Sequence, residues 1–181
     1  MNPNQRNSPN LDNEGLFTHH LLAVGKLKYA KGQRPKISCI FCGVRDNNPA
    51  ITSLKVFQDE YLMVCLNLYP YNPGHLMVIP TKHVEKFEDL TENERNYLFW
   101  MVIQMQKMLQ DIFSPTGFNV GYNQGNYAGA SIQHVHVHIV PRYREELGFI
   151  DIIGTTKVIV EPLSEVLQKI QKYIGNYINT K

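Results

Sequence analysis

Three histidines alternate with apolar residues in one short stretch of the 181-residue chain. Residues 132–140 have the sequence Ile-Gln-His-Val-His-Val-His-Ile-Val. In a β-strand, successive side chains point to opposite faces, so His134, His136 and His138 would share one face and the apolar residues the other. Three imidazoles buried as ordinary core residues would need three separate sets of hydrogen-bonding partners. The pattern therefore predicts a functional site, built around either a metal ion or a nucleophilic imidazole.

The loop that precedes the histidines bears on the choice between these two chemistries. Residues 121–131 contain three glycines together with Asn123, Asn126 and Ser131. Glycines let backbone N–H groups approach an anion closely, and the amide and hydroxyl side chains add further hydrogen-bonding groups. The chain has no HExxH motif and no nearby acidic base for metal-activated water. The loop therefore favours a phosphate ligand and attack of an imidazole on phosphorus.

Two separated segments resemble the histidine triad (HIT) family of nucleotide hydrolases and transferases. The first runs from His134 to Pro141 and matches the family pattern of three histidines alternating with apolar residues. The second, residues 67–80, reads Asn-Leu-Tyr-Pro-Tyr-Asn-Pro-Gly-His-Leu-Met-Val-Ile-Pro and matches the strand–turn–strand on the nucleotide side. The resemblance covers residues 37–142. The long N-terminal arm and residues 148–154 look more specifically like the diadenosine tetraphosphate phosphorylase and hydrolase branch.

The resemblance implies a role for each matching position. His136 would be the nucleophile that attacks the α-phosphorus and carries the nucleotidyl group, while His138 and His75 would line the phosphate site as further catalytic groups. Ser131 would act on the leaving-group side. Neutral imidazole is nucleophilic near pH 7, and its phosphoramidate passes the nucleotide on readily. The positions that would bind substrate are Asn67, Asn123, Gly129, Ser131 and His138.

One position departs from the family pattern. Many members carry glutamine immediately before the serine or threonine that corresponds to Ser131, and this glutamine touches phosphate. Here the position is occupied by Ala130. The phosphate contacts of this chain must therefore differ from those of glutamine-containing relatives, and their substrate preference does not transfer to it.

A Cys-x-x-Cys pair, Cys39 and Cys42, opens the region of resemblance. By itself such a pair fits a redox centre, two simple thiols or half of a metal site. The zinc-bearing members of the HIT superfamily complete the site with a histidine of a Pro-x-Lys-x-His-like segment, here His83, and with the first triad histidine, His134. The resemblance implies a structural Cys₂His₂ zinc site and no organic cofactor. The remaining Cys65, within an apolar run, is predicted to be an inert core thiol.

The activity implied by the resemblance is cleavage of dinucleoside polyphosphates, of the diadenosine tetraphosphate type, through a covalent nucleotidyl-His136 intermediate. Water or phosphate would accept the nucleotidyl group, so hydrolase and phosphorylase both remain open. An adenosine 5′-monophosphoramidase is an alternative within the same enzyme class. A non-catalytic nucleotide-binding or interaction module is a second alternative, which the intact His136 disfavours.

Charge and hydropathy exclude several other classes of function. Lys and Arg number 18 against 16 Asp and Glu, for a net charge of +2, which provides no broad cationic field for nucleic acid. No stretch approaches the roughly 20 apolar residues of a membrane span, and the first fifteen residues lack the apolar run of a signal peptide. With three cysteines that cannot all pair, the sequence predicts a cytoplasmic protein without nucleic-acid or membrane partners.

The elements that must position these groups follow the order β-β-β-α-β-β-α, which predicts an α+β, HIT-like fold with an antiparallel sheet. Thr91 begins a capping box with Glu94, and helical periodicity continues to Ser114. This is the one long helix, and a C-terminal helix is predicted at 162–177. The predicted strands are 56–58, 61–67, 75–80, 118–122 and 132–140, with a further short one at 158–160.

The chain is predicted to divide into three parts. Residues 1–14 have no apolar periodicity and are predicted to be a mobile tail. Residues 15–36 are predicted to form an N-terminal arm that lies on the domain, and residues 37–181 a single HIT-like domain.

The resemblance further implies a homodimer, to which the helix at 91–113 and a strand edge contribute.

Overall fold

The computed structural model describes residues 37–144 and 161–178. The predicted tail and arm (1–14 and 15–36) and the short strand at 158–160 lie outside these residues, and the division into three parts stays a prediction. In chain order the elements are α1 Ile40–Arg45, β1 Lys55–Gln58, β2 Leu62–Leu66, β3 Leu76–Pro80, α2 Glu92–Phe113, β4 Gly117–Gly121, β5 Val137–Arg142, α3 Leu163–Tyr173 and α4 Gly175–Ile178.

The five strands form one antiparallel sheet in the order β1-β2-β3-β5-β4. The predicted α+β fold, with an antiparallel sheet and one long helix, is confirmed. The crossover places β5 beside β3, so that His138 is paired with Met77, two residues after His75. The sheet order therefore brings the two segments of the chain that carry the histidines together.

The long helix α2 begins with the predicted capping box. The Thr91 hydroxyl accepts a hydrogen bond from the Glu94 N–H, and the Thr91 N–H donates to the Glu94 carboxylate at 2.7 Å. The helix ends at Phe113, and the capping residue Ser114 adopts a left-handed conformation with φ 47° and is followed by Pro115. No helix within the described ranges is long and apolar enough to cross a bilayer.

The sheet separates two apolar clusters. Strand β2 is buried throughout, and its alternate residues Leu62, Val64 and Leu66 join the cluster beneath α2. Met63 and Cys65 point to the opposite face and pack with residues of α1. Helix α1 was not predicted from the sequence, because six residues are too few to show helical periodicity. The candidate site lies on this α1 face of the sheet.

The strand that carries the histidines is shorter than the predicted 132–140. It begins at Val137, so only His138 of the three histidines lies in β5. In the β3–β5 register Val135 would face Pro80, which has no N–H to donate to the ladder and whose carbonyl accepts from His134 Nε2. The Val135 N–H bonds to the Val84 carbonyl at 2.7 Å. The predicted division of faces nevertheless holds, because Val135, Val137 and Ile139 all belong to the cluster beneath α2.

The predicted C-terminal helix is divided in two. Helix α3 ends at Tyr173 and α4 starts at Gly175. Glycine is a weak helix former, which accounts for an interruption at this point. Val166 and Ile170 of α3 are buried in the same cluster as α2, so α3 packs beside the long helix and away from the histidines.

Candidate functional site

Two cysteines and two histidines from three distant parts of the chain meet at the start of α1. Each offers one ligand atom, and the four atoms lie within 4.8 Å of one another. Cys39 Sγ is 3.3 Å from His134 Nδ1, and Cys42 Sγ is 3.4 Å from His83 Nδ1. In tetrahedral zinc coordination a sulfur and a nitrogen ligand stand about 3.5 Å apart. We call these four residues the Cys/His cluster; their donor types and spacing suit a closed zinc site.

Hydrogen bonding sets the tautomer of His134 for this role. Its Nε2 lies 2.9 Å from the main-chain oxygen of Pro80, which can only accept, so Nε2 carries the proton. The lone pair on Nδ1 consequently faces the cysteine sulfurs. Burial lowers the pKa of His134 to about 4, which keeps the ring in the neutral form that binds metals.

The ionised, metal-binding form of the cluster cysteines requires a nearby cation. Burial, together with the neighbouring Cys39, raises the pKa of the Cys42 thiol to about 11. A metal ion stabilises the thiolate and reverses this preference. Cys39 also caps α1, since its Sγ accepts from the Cys42 N–H at 3.5 Å. The local fold of α1 and the placement of both sulfurs are therefore linked.

The middle histidine presents one nitrogen for chemistry. His136 Nδ1 lies 2.7 Å from the main-chain oxygen of His134 and must donate its proton there. This leaves the lone pair on Nε2. Burial lowers the pKa of His136 below the ordinary histidine value, so the ring is neutral near pH 7. A neutral, oriented imidazole with its lone pair on Nε2 is the form required of a nucleophile.

The third histidine of the row is paired with the upstream one. His75 is completely buried, and its Nδ1 accepts from the Tyr71 N–H at 3.2 Å. His75 Nε2 must then carry the proton, and it lies 3.0 Å from His138 Nδ1. His138 Nδ1 accepts this proton in a hydrogen bond, so the proton of a neutral His138 is on Nε2. The Tyr71 ring stacks on His75 with a centroid separation of 5.2 Å.

A cavity beside the histidines has a polar end and an apolar end. The sequence-predicted residues Asn67, Asn123, Gly129, Ser131, His136 and His138 all line it. His75 is not among the lining residues and lies behind His138. The apolar end, which includes groups not identified from the sequence, is formed by residues on the α1 face of the sheet: Ile40, Phe41, Val44, Cys65, Met77 and Ile132. The cavity thus suits a ligand with a polar and an apolar part.

The loop at the polar end is held in a defined shape. Gly125 and Gly129 have φ of 89° and 84°, a conformation that other residues adopt only with strain. The Ala130 N–H returns to the Gly125 carbonyl, and the Gln124 side chain accepts from the Phe87 N–H at 2.8 Å. At the position of the family glutamine, Ala130 is buried and has no polar side-chain group.

The wall of the cavity that α1 forms was not predicted from the sequence. The signal for it is the apolar residues between and after the two cysteines. Phe41 is buried beside the histidine rings, and Val44 follows it on α1. Cys65 is buried as predicted, and burial raises its pKa to about 12, so it is not a reactive thiolate although it lines the cavity.

Comparison with known proteins finds relatives along most of the described chain. The model of the HIT domain matches residues 48–145. The AP-4-A phosphorylase of Mycobacterium tuberculosis is 44% identical over 113 residues, which are 62% of this chain and 58% of that protein. The asymmetrical bis(5′-nucleosyl)-tetraphosphatase of Schizosaccharomyces pombe is 39% identical over 88 residues, 49% of this chain and 48% of that protein. This chain therefore spans between about half and three-fifths of the length of these two relatives.

The fold also matches solved structures. The crystal structure of a hypothetical histidine triad nucleotide-binding protein from Sulfolobus tokodaii superimposes with a TM-score of 0.63 at 27% sequence identity. The match covers 76% of this chain and 93% of that one.

Proposed function

The chain belongs to the HIT family, and from this premise we propose that it is an enzyme that transfers a nucleotidyl group by way of His136. The hydrogen bond between His136 Nδ1 and the His134 carbonyl carries the proposal, because it leaves the Nε2 lone pair for attack on phosphorus. The names of the mycobacterial and fission-yeast relatives support a dinucleoside polyphosphate of the diadenosine tetraphosphate type as the substrate.

The first step forms a covalent intermediate. His136 Nε2 attacks the α-phosphorus, the bond between that phosphorus and the bridging oxygen breaks, and the nucleotidyl group is left on His136. The leaving polyphosphate departs as an anion, and the N–H at Nε2 of His138 donates a hydrogen bond that stabilises the charge developing on the leaving oxygen. In the second step water or phosphate attacks the same phosphorus, the phosphorus–nitrogen bond breaks and returns its electron pair to His136 Nε2, and the proton of an attacking water is released to solvent.

The two ends of the cavity support a division of the substrate. We assign phosphate and ribose binding to the polar end, with Asn67, Asn123, Gly129 and Ser131 as hydrogen-bonding groups. The base of the nucleoside occupies the apolar end between α1 and the sheet. The Asn67 side-chain oxygen accepts from the Tyr69 N–H at 2.9 Å and its Nδ2 lies 3.4 Å from His75 Nε2, so both ends of the amide are held beside the pair formed by His75 and His138.

Structural zinc is part of the proposal, held by Cys39, Cys42, His83 and His134. When bound, the ion supplies positive charge that stabilises the two thiolates and cross-links three chain segments. It takes no part in the nucleotidyl transfer. All three cysteines are free thiols, which supports a reducing compartment such as the cytoplasm.

A homodimer is also part of the proposal. Helix α2 exposes Phe99 and Ile103, which are 46% and 50% exposed. The adjacent edge strand β4 exposes Val120, and the ring of Tyr122 just beyond it stacks on Phe87 at 4.7 Å. Apolar side chains beside an open sheet edge suit association with a second copy of the chain.

The product pattern tests the activity. The protein is incubated with diadenosine tetraphosphate, with and without phosphate, and the nucleotides are separated. ATP and AMP indicate hydrolysis, whereas ATP and ADP formed only with phosphate indicate phosphorolysis; both support the proposal. Whole-protein mass spectrometry should find one nucleotidyl group on the quenched enzyme and none on a folded His136→Ala variant. Absence of turnover by folded, zinc-loaded protein would contradict the proposal, and faster cleavage of adenosine 5′-phosphoramidate would replace the proposed substrate with the phosphoramidase alternative.

A further inference from the structure

Phe41 occupies a position that connects the Cys/His cluster to the middle histidine. It lies between Cys39 and Cys42 on α1 and is 4% exposed. The centroid of its ring is 5.0 Å from that of His136, with an interplanar angle of 61°, and 5.8 Å from that of His134 in an edge contact. The ring thus touches both a member of the cluster and the proposed nucleophile.

The hydrogen bond to His136 does not by itself define the direction of its lone pair. One hydrogen bond, from Nδ1 to the His134 oxygen, fixes the position of one ring atom, and the imidazole can still rotate about that atom. Attack on phosphorus requires Nε2 to lie in line with the breaking bond, and a displacement of about 1 Å lowers rates about 10²-fold. Among the described residues, the aromatic-ring contacts of His136 are with Phe41 and with His138, the latter at 4.8 Å and 75°. These contacts restrict the rotation of the His136 ring.

We infer that Phe41 is a positioning residue for nucleotidyl transfer, which holds the imidazole of His136 in its attacking orientation. The inference rests on the proposed function. Helix α1 has only six residues and is tied down at its start, where Cys39 contacts His134 and Cys42 contacts His83. The cluster therefore places both restraints on His136, the carbonyl through His134 and the aromatic ring through Phe41.

Phe41 also lines the apolar end of the cavity, so its positioning role must be separated from a role in the cavity wall. Val44 is a matched control, because it lies on the same helix, is 6% exposed and lines the same cavity, but has no ring to restrain an imidazole. Phe41→Leu keeps an apolar wall and removes the flat ring. Val44→Ala weakens the wall and keeps the ring.

The test compares the two variants in single-turnover cleavage of diadenosine tetraphosphate, with KM measured in parallel. For F41L we expect the rate constant at saturating substrate to fall about 10- to 100-fold with KM within about threefold of wild type. For V44A we expect mainly a rise in KM. Metal content and thermal unfolding confirm that each variant is folded, and Phe41→Met, of similar volume, replaces F41L if that variant does not fold.

The outcomes separate this inference from the proposed function. If F41L raises KM and leaves the rate constant unchanged, or if both variants lower the rate constant equally, Phe41 is only part of the wall or of the local structure and the inference is wrong. The same quenched samples show whether wild-type protein forms nucleotidyl-His136. Its absence in wild type overturns the proposed function, whereas its presence with an unaltered rate in F41L overturns the role of Phe41 alone.

Discussion

The main-chain oxygen of His134 lies 2.7 Å from Nδ1 of His136, while the side chain of His134 belongs to the Cys/His cluster. One residue therefore contacts both centres of the site. Its Nδ1 faces the cysteine sulfurs, and its carbonyl sets the tautomer of the next histidine along the row. A change in the cluster therefore reaches the proposed nucleophile through a single residue of backbone, in addition to the contact of Phe41 with His136.

Loss of one cluster ligand should remove the metal and lower the stability of the fold together. For Cys42→Ser we expect zinc to fall from about one ion per chain to near zero, with a lower melting temperature, because a bound metal contributes to folding free energy. Metal analysis of untagged protein and thermal unfolding measure this. Cys65→Ala is the control, since Cys65 lies outside the cluster and should leave the zinc content unchanged. Wild-type protein that is fully folded without any metal would argue against the site.

His138 should matter in proportion to the charge that develops on the leaving oxygen. His138→Ala removes one hydrogen-bond donor to that oxygen and is expected to slow cleavage of diadenosine tetraphosphate by about 10² to 10³. In a p-nitrophenyl ester of AMP the developing charge is delocalised into the nitrophenyl ring, so its cleavage should be affected much less. Steady-state rates on the two substrates provide the comparison, and an equal loss on both would show that His138 does not act on the leaving group.

The pair formed by His75 and His138 leads to a related expectation. His75→Ala removes the group that donates to His138 Nδ1, and should reduce turnover of diadenosine tetraphosphate more than that of the p-nitrophenyl ester. Because His75 is completely buried, urea unfolding must accompany the assay. A uniform loss of activity that follows the loss of folded protein would contradict a specific effect on His138.

The pH dependence of the reaction should reflect the depressed pKa of His136. The nucleophile is the unprotonated ring, and burial lowers its pKa, so the active form persists below the ordinary histidine value of about 6.5. On lowering the pH, kcat/KM should therefore fall only at pH values below about 6.5. A pH–rate profile over the range in which the protein stays folded measures this, and an acid limb centred above 6.5 would be inconsistent with the predicted direction.

A charge on the exposed face of α2 should dissociate the proposed homodimer. Ile103→Glu places a carboxylate where two apolar faces would meet, and we expect sedimentation velocity to show monomers at concentrations at which the wild type is dimeric. Gln168→Glu adds the same charge at an exposed position of α3 and should leave the dimer intact. A wild-type protein that is monomeric at all concentrations would refute the dimer itself.

Local patterns in the sequence were sufficient for much of the architecture. The spacing of apolar residues along α2 and the Thr91–Glu94 capping box predicted the long helix and its start. Alternation predicted that Val135, Val137 and Ile139 face away from the histidines, and this holds even at Val135, where the strand has not yet begun. These properties depend on residues that are close together in the sequence, within one or two helical turns or strand repeats, so local sequence patterns are sufficient to predict them.

The sequence by itself determined which residue types were available for chemistry and which face each would occupy. Only the tertiary structure decided their partners. Cys39 meets His134 across 95 positions because β5 lies beside β3, and the crossover brings the segment before β5 against α1. The tautomers of His134 and His136 depend on which carbonyls stand opposite their nitrogens, and Phe41 reaches His136 only through packing of a helix too short to leave a periodic signal. Such contacts arise from non-local packing, which no local pattern encodes.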